Sequence, residues 1–215
     1  MDNATEKASR QSCYTPLMPI HNIYKPIGWT PLQALEALRN QHPELKYSPM
    51  TYAGRLDPMA EGVLLILSDE DRHDLHDHLK HDKVYEAEVI FGVSTDTHDA
   101  LGLPGDIRPT CTTSEARDVI EKLTGNHTLP FPVFSAYKVN GKPLHWWAQM
   151  DRLDEIEIPL KEMRVKEISN ISVDHVDAKQ LLKDIQARIA AVTGVFRQEQ
   201  ILLAWEHVLK SNTPP

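Results

Sequence analysis

Tyr52-Ala53-Gly54-Arg55-Leu56-Asp57-Pro58-Met59-Ala60-Glu61-Gly62-Val63-Leu64-Leu65-Ile66-Leu67 is the stretch on which the fold class turns. Residues 63–67 form a continuous apolar run, the pattern of a strand buried on both faces. Residues 52–58, just ahead of it, read as a loop around Gly54. That loop carries Asp57 to the edge of a rigid element, an arrangement that suits a nucleophilic carboxylate. An Asp before Pro also makes ordinary turns, so both readings of Asp57 stand on these residues alone.

Upstream, residues 21–24 read as a short strand and Lys25-Pro26-Ile27-Gly28 as a turn, with Lys25 an exposed turn residue. A helix follows, with Thr30 as N-cap, Pro31 at its first position and Gln33 completing a capping box. Leu32, Leu35 and Leu38 give it a buried stripe, and Pro43 closes it. Downstream, residues 71–80 read as a solvated helix. Residues 84–91 alternate with period two, placing Tyr85, Ala87, Val89 and Phe91 on one apolar face. Tyr85 is there either a core aromatic or a functional ring. Thr112 with Glu115 caps a further helix that ends near Gly125. Residues 129–152 are rich in Pro, aromatic and Lys residues without a period, and read as a long functional loop or insertion. Residues 156–171 suggest two short strands. Asp177 with Gln180 caps a helix that turns Leu181, Ile185, Ile189 and Val192 inward and ends at Gly194. The last helix starts near Gln198, with Ile201, Leu202, Trp205, Val208 and Leu209 on one face. Strands and helices without regular β-α alternation make the chain α+β, with an antiparallel or mixed sheet. Residues 1–19 read as a flexible tail and 20–212 as one domain.

The chain has 215 residues, 41% hydrophobic and 25% charged, enough to bury a core without disulfide or metal staples. Cys13 and Cys111 form no C-x-x-C pair and read as reduced thiols. No apolar run approaches a membrane span, and the N-terminus lacks the plan of a signal peptide, so the expected setting is cytoplasmic. The net charge of -8 runs against the basic footprint of a nucleic-acid binder. The acid is concentrated, however, at 69–74, Asp77, Asp82 and 151–157, while Arg55, Lys138, Lys142 and Arg197 lie outside those runs. Arg197 falls at the start of the last helix, where a cation opposes the helix dipole by up to about 1 kcal/mol. It is either paired with a carboxylate such as Asp57 or solvated, with the helix starting a little later. His73, His76 and His81 could share a helix face and bind a metal, but an acidic, His-rich exposed helix is the simpler reading.

Four groups of residues carry a resemblance. They are Tyr24-Lys25-Pro26-Ile27-Gly28-Trp29-Thr30; the loop and strand around Asp57; Asp82-Lys83-Val84-Tyr85-Glu86-Ala87 followed by Phe91-Gly92-Val93-Ser94-Thr95-Asp96-Thr97-His98-Asp99-Ala100-Leu101-Gly102; and Pro130-Phe131-Pro132-Val133-Phe134-Ser135-Ala136-Tyr137-Lys138-Val139-Asn140-Gly141-Lys142. In order and spacing, about residues 21–145 resemble the TruB family of RNA pseudouridine synthases. The resemblance implies that family's catalytic fold, a central mixed or mostly antiparallel sheet flanked by helices and loops. It implies an RNA-contacting insertion at about 129–152 and no C-terminal RNA-binding appendage. It puts Asp57 on the catalytic aspartate, Tyr85 on the active-site tyrosine and Arg197 on the active-site arginine. Gly194-Val195-Phe196-Arg197 is one residue shorter than the family's segment. Tyr52 stands where the family has His, His73 where it has Lys, and Gln149 where it has Arg.

The implied reaction breaks the uracil N1–C1′ bond and rejoins the base through C5, on a nucleotide flipped out of the RNA. It needs no cofactor and no metal. Tyr52, Arg55, Lys138 and Lys142 are the RNA-binding candidates. The expected partner is tRNA at its T-loop uridine, or another stem-loop RNA, met by a monomer with no membrane and no obligatory protein partner. Two alternatives accompany this: a catalytically silent RNA-binding or RNA-folding protein, and a synthase of the RluA class. Asp57-Pro58, Thr95-Asp96-Thr97 and Ser135 with Lys138 point back to TruB.

Overall fold

The computed structural model describes residues 20–109 and 111–211, so the expected tail at 1–19 lies outside the described residues. The chain is α+β and divides into two compact units. Of the described residues, the first comprises 20–25, 31–55 and 62–82, and the second comprises 26–30, 56–61, 83–109 and 111–211.

In the first unit the apolar run becomes the centre of a sheet. Strands β1 (Ile20–Lys25) and β2 (Met50–Ala53) flank β3 (Gly62–Ser68) in the order β1-β3-β2, both antiparallel. Leu64, Ile66 and Leu67 are buried, as an inner strand requires. Tyr52, read from sequence as loop, lies in β2 opposite Ile66. The apolar β3 needs a partner on each side, and Thr51 and Tyr52 suit a ladder; the bend falls only at Gly54. Lys25, read as an exposed turn residue, is the last residue of β1 and fully buried.

Helix α1 (Pro31–Gln41) starts at the predicted proline and packs on β1 and β2 through Ala34, Leu35 and Leu38. Leu32 is 57% exposed, because the buried stripe is phased on Ala34 instead. Arg39 ties down the following loop by donating to the carbonyls of Leu45, Lys46 and Ser48 at 3.0–3.1 Å. The expected helix at 71–80 is a 3-10 segment, Asp69–Asp74, running into the single α2 turn Leu75–Leu79, with no buried residue in either.

The second unit has its own core. Helix α3 is Thr113–Glu121, α4 is Leu144–Gln149, α5 is Ala178–Ala191 and α6 is Gln198–Ser211. Helices α5 and α6 pair through Leu182, Ile185, Ile189, Ile201, Trp205 and Leu209, with Leu101 and Val192 joining the cluster. The predicted Asp177 cap is made, its carboxylate accepting from the Lys179 and Gln180 amides at 2.9 and 3.0 Å. Trp205 buries its ring and donates Nε1–H to the Ala100 carbonyl at 3.0 Å.

Two small antiparallel sheets complete this unit. Strand β4 (Gly125–Pro130) pairs with β7 (Leu160–Val165), and β5 (Lys138–Val139) pairs with β6 (Lys142–Pro143). Asn140 and Gly141 close the β5–β6 hairpin, both at positive φ, as a two-residue turn demands. The insertion at 129–152, which showed no period, thus holds a hairpin and a helix, each too short to print a period. Residues 156–171 give one strand, β7, where two were expected.

The clearest departure is at residues 84–91. Their alternation predicted a strand with Tyr85 on the apolar side, but they join no ladder, and Val84, Tyr85 and Val89 are 100%, 77% and 68% exposed. A period of two shows what a segment could do in a sheet; a strand forms only where another edge satisfies its backbone. The segment is held near its end, where Ile90 packs on the core and Glu88 meets Arg188 at 3.1 Å.

The predicted capping box of α3 is complete. The Thr112 Oγ1 accepts from the Glu115 amide at 3.3 Å, while the Glu115 carboxylate accepts from the Thr112 amide and hydroxyl at 2.8 Å. These bonds hold the Glu115 carboxyl below the usual carboxylate range, the backbone bond contributing most. A depressed folded-state pKa contributes stability above the ordinary Glu range that is lost as pH falls through the folded value. An NMR pH titration is therefore expected to find Glu115 protonating below a free Glu, and Thr112→Ala to move it back up while destabilising the cap by about 1 kcal/mol.

Candidate active site

The residues that carry the site meet through the backbone of one glycine in the second unit. Gly28 donates its amide to the Pro58 carbonyl at 2.8 Å. Its own carbonyl accepts from the Thr193 amide at 3.1 Å and from the Thr193 hydroxyl at 3.0 Å. The turn at 26–30, the Asp57-Pro58 turn and the segment leading to Arg197 are thereby tied together. Gly28 has φ +84, and an added Cβ would stand 2.5 Å from the Ala191 carbonyl carbon and nearer still to its oxygen. Both backbone conformation and space therefore call for glycine.

Asp57 itself is exposed, on a turn closed by the Ala60 amide donating to the Asp57 carbonyl at 3.0 Å. Pro58 precedes Met59, which packs on the α5–α6 core. The turn that presents the carboxylate is thus held by a backbone bond on one side and apolar packing on the other, the rigid support that a nucleophile needs.

Arg197 directly precedes α6, and the Ile201 amide donates to its carbonyl at 3.0 Å. It has φ +61, a region that non-glycine residues seldom occupy. Neighbours fix this conformation. Gln198 accepts from the Phe196 amide at 2.8 Å and donates to the Gly194 carbonyl at 2.7 Å. The predicted need for a compensating carboxylate is met, but by Asp96, whose Oδ2 lies 3.0 Å from the Arg197 Nη2, and not by the Asp57 suggested from sequence. The guanidinium also lies 5.1 Å from the centroid of the Phe134 ring, a cation–π distance.

Asp96 is in turn part of a built loop. Its Oδ1 accepts from the Leu103 amide at 2.8 Å, and its amide donates to the Leu103 carbonyl at 3.2 Å. The Asp99 Oδ1 accepts from the Thr97 hydroxyl at 2.7 Å and the Leu101 amide at 3.0 Å. Thr95 donates to the Asp99 carbonyl at 2.7 Å. A Cβ on Gly102 would stand 2.7 Å from Asp96 Oδ1, so the loop closes only over a glycine. Thr95, Asp96, Thr97, Asp99 and Gly102 thus each have a mechanical reason, and the loop's product is one carboxylate aimed at Arg197.

The predicted residues are distributed as follows. Asp57 lies next to Pro58, and Arg197 four residues beyond Thr193, on the two segments bonded to Gly28. Tyr85 is in the same unit, on the exposed segment already described. Lys138 and Lys142 are exposed on the β5–β6 hairpin, with the Lys142 Nζ 5.1 Å from the Trp146 ring centroid. Tyr52 and Arg55 belong to the first unit, on β2 and just after it. Sequence reasoning missed Asp96, Gly28 and Thr193 as working parts. Asp96 was visible within its motif, but no spacing rule joins it to a residue 101 positions away. Among the described residues no group of three or more His, Cys, Asp or Glu side chains is placed to hold a metal ion, and no helix is long and apolar enough to cross a membrane.

The sequence model described as "TruB family pseudouridylate synthase (N terminal domain)" matches residues 44–195. The chain belongs to the TruB family. Among its relatives is tRNA pseudouridine synthase B of Lactococcus lactis subsp. lactis, 29% identical over 82% of this chain and 53% of its own length. The protein of the same name from Xanthomonas campestris pv. campestris is 34% identical over 70% of this chain and 49% of its own. That of Malacoplasma penetrans is 29% identical over 74% and 68%. The chain spans about half the length of the first two relatives.

If Asp96 holds Arg197 by charge as well as by geometry, Asp96→Asn should lower stability by about 1 kcal/mol. That figure is the lower part of the range for charge-assisted hydrogen bonds, reduced because both side chains are about a third exposed. Urea denaturation monitored by tryptophan fluorescence checks it. Asp96→Ala, which also frees the Leu103 amide, should cost more.

Proposed function

We propose that this chain is an RNA pseudouridine synthase that isomerises a uridine of tRNA, the T-loop uridine first among candidates, with Asp57 as nucleophile. The observation that carries the reading is the hydrogen-bonded assembly at Gly28, which ties the Asp57-Pro58 turn to the segment that ends in Arg197. The RNA class comes from the names of the relatives, tRNA pseudouridine synthase B.

In this reading the target uridine is flipped out of its loop, at a cost of a few kcal/mol offset by stacking and phosphate contacts. The ionised Asp57 meets C1′ as the N1–C1′ bond breaks. The uracil then turns and C5 bonds to C1′, displacing the Asp57 carboxylate, with the C5 proton leaving and N1 being protonated, so no atom is gained or lost overall. Tyr85, 77% exposed, offers a ring to the flipped base. Arg197, fixed by Asp96 and Phe134, supplies fixed positive charge where the carboxylate and the RNA backbone are negative. Lys138 and Lys142 are proposed phosphate contacts on the insertion, and Tyr52 and Arg55 proposed RNA contacts on the first unit. Action in the cytoplasm, as a monomer without cofactor, metal or obligatory protein partner, belongs to the same proposal.

Pseudouridine formation on an unmodified tRNA transcript tests it. The wild-type chain should form product, and Asp57→Asn should lose about a thousandfold or more in rate while still binding the transcript. Product from both proteins would remove Asp57 from the chemistry. Binding without product from the wild type would favour the RNA-binding protein without turnover.

A further inference from the structure

The insertion holds a ring stack with one end open. Phe131 and Tyr137 lie face to face, centroids 4.1 Å apart and planes 28° apart, and the Lys161 Nζ stands 5.9 Å from the Phe131 centroid. Both rings are anchored by backbone. The Phe131 amide donates to the Pro159 carbonyl at 3.0 Å, extending the β4–β7 ladder by one bond, and the Tyr137 carbonyl accepts from the Leu144 amide at 2.7 Å beside the β5–β6 hairpin. The stack therefore bridges two small sheets and ends in Tyr137, which is 44% exposed. Among the described residues no further ring or cation lies over Tyr137. The other aromatics of the insertion differ: Lys142 and Arg152 lie 5.1 and 5.6 Å from the Trp146 centroid, Arg152 lies 5.4 Å from that of Trp147, and Arg197 lies 5.1 Å from that of Phe134.

Charge marks the occupant. The chain carries -8, yet residues 122–150 hold three lysines and no Asp or Glu. Two of those lysines, Lys138 and Lys142, are exposed on the hairpin next to Tyr137. An anchored aromatic face beside unpaired-with-acid cations is the combination that takes an unpaired nucleobase and its phosphate. An apolar peptide would use the ring but not the lysines. A phosphate alone would use the lysines but not the ring.

We propose that Tyr137 is the terminal platform on which one unpaired base of the bound RNA stacks, away from the reacting uridine, so that Tyr137 sets affinity for looped over fully paired RNA. This rests on the RNA-directed reading above and adds to it a second base subsite. Because Phe131 already holds the ring, stacking a base freezes little new side-chain freedom.

The test uses the full chain carrying Asp57→Asn, so that binding is read without turnover, and an RNA hairpin with 2-aminopurine placed at successive loop positions. Variants are Tyr137→Phe, Tyr137→Leu and Tyr137→Ala. Leucine keeps the apolar contact with Phe131 but removes the flat face, so a merely structural clasp predicts Phe and Leu alike. The proposal expects Tyr137→Phe to bind within about twofold of its parent, and Leu and Ala to bind about tenfold or more weakly. Fluorescence at one loop position should be quenched by the Tyr and Phe forms only. Equal binding by the Phe and Leu forms, with no position quenched differently, overturns the platform and leaves the pseudouridine reading intact, which the wild-type chain's product formation reports separately. Absence of both hairpin binding and product in the wild type overturns both.

Discussion

A backbone junction at Gly28 governs the second unit. One amide and one carbonyl of a single residue reach Pro58 on one side and Thr193 on the other, and neither bond depends on a side chain of the glycine. The residue must have positive φ and no Cβ, since the Ala191 carbonyl occupies the space where one would go. Buried backbone groups need partners, and here that requirement brings together segments 30 and 135 positions apart in the chain. The carboxylate of Asp57 and the guanidinium of Arg197 are carried on the two segments so joined.

The second layer of control is electrostatic. Arg197 sits at positive φ and at the positive end of a helix dipole, two conditions that each disfavour it by something like 1 kcal/mol. Asp96 offsets this from a loop whose other hydrogen bonds are local: Thr95, Thr97 and Asp99 pin the loop, Gly102 lets it close, and Leu103 takes the remaining oxygen of Asp96. Strain of this kind persists where surrounding structure over-determines it, and it clusters at working sites. The same guanidinium packs on Phe134, which brings the insertion into contact with this cluster.

The elements legible in the sequence were those whose signal is local. Pro31 opened α1, Thr112 with Glu115 capped α3, Asp177 capped α5, and the apolar run at 63–67 became the inner strand β3. The α5–α6 face was readable because Ile185, Ile189, Ile201, Trp205 and Leu209 repeat at helical spacing. What failed depended on partners. Residues 84–91 had the alternation of a strand but no edge to pair with, so Tyr85 is exposed instead of inward. Tyr52 looked like loop because β2 exists only by virtue of β3 beside it. In the site, the sequence offered Asp57 as a charge partner for Arg197, whereas the structure gives Arg197 the carboxylate of Asp96. That pairing is set by three-dimensional closure of the Asp96 loop, which no linear spacing encodes.

Amide hydrogen exchange on the wild type and on Gly28→Ala tests the junction most directly. The account predicts that the Gly28 and Thr193 amides are protected in the wild type. In Gly28→Ala the residue 28 and Thr193 amides should both exchange at loop rates, while the Glu115 amide, bonded within the cap of α3, keeps its protection. Retained protection at Thr193 in Gly28→Ala would contradict the account, because the segment leading to Arg197 would then be held by something other than the Gly28 backbone.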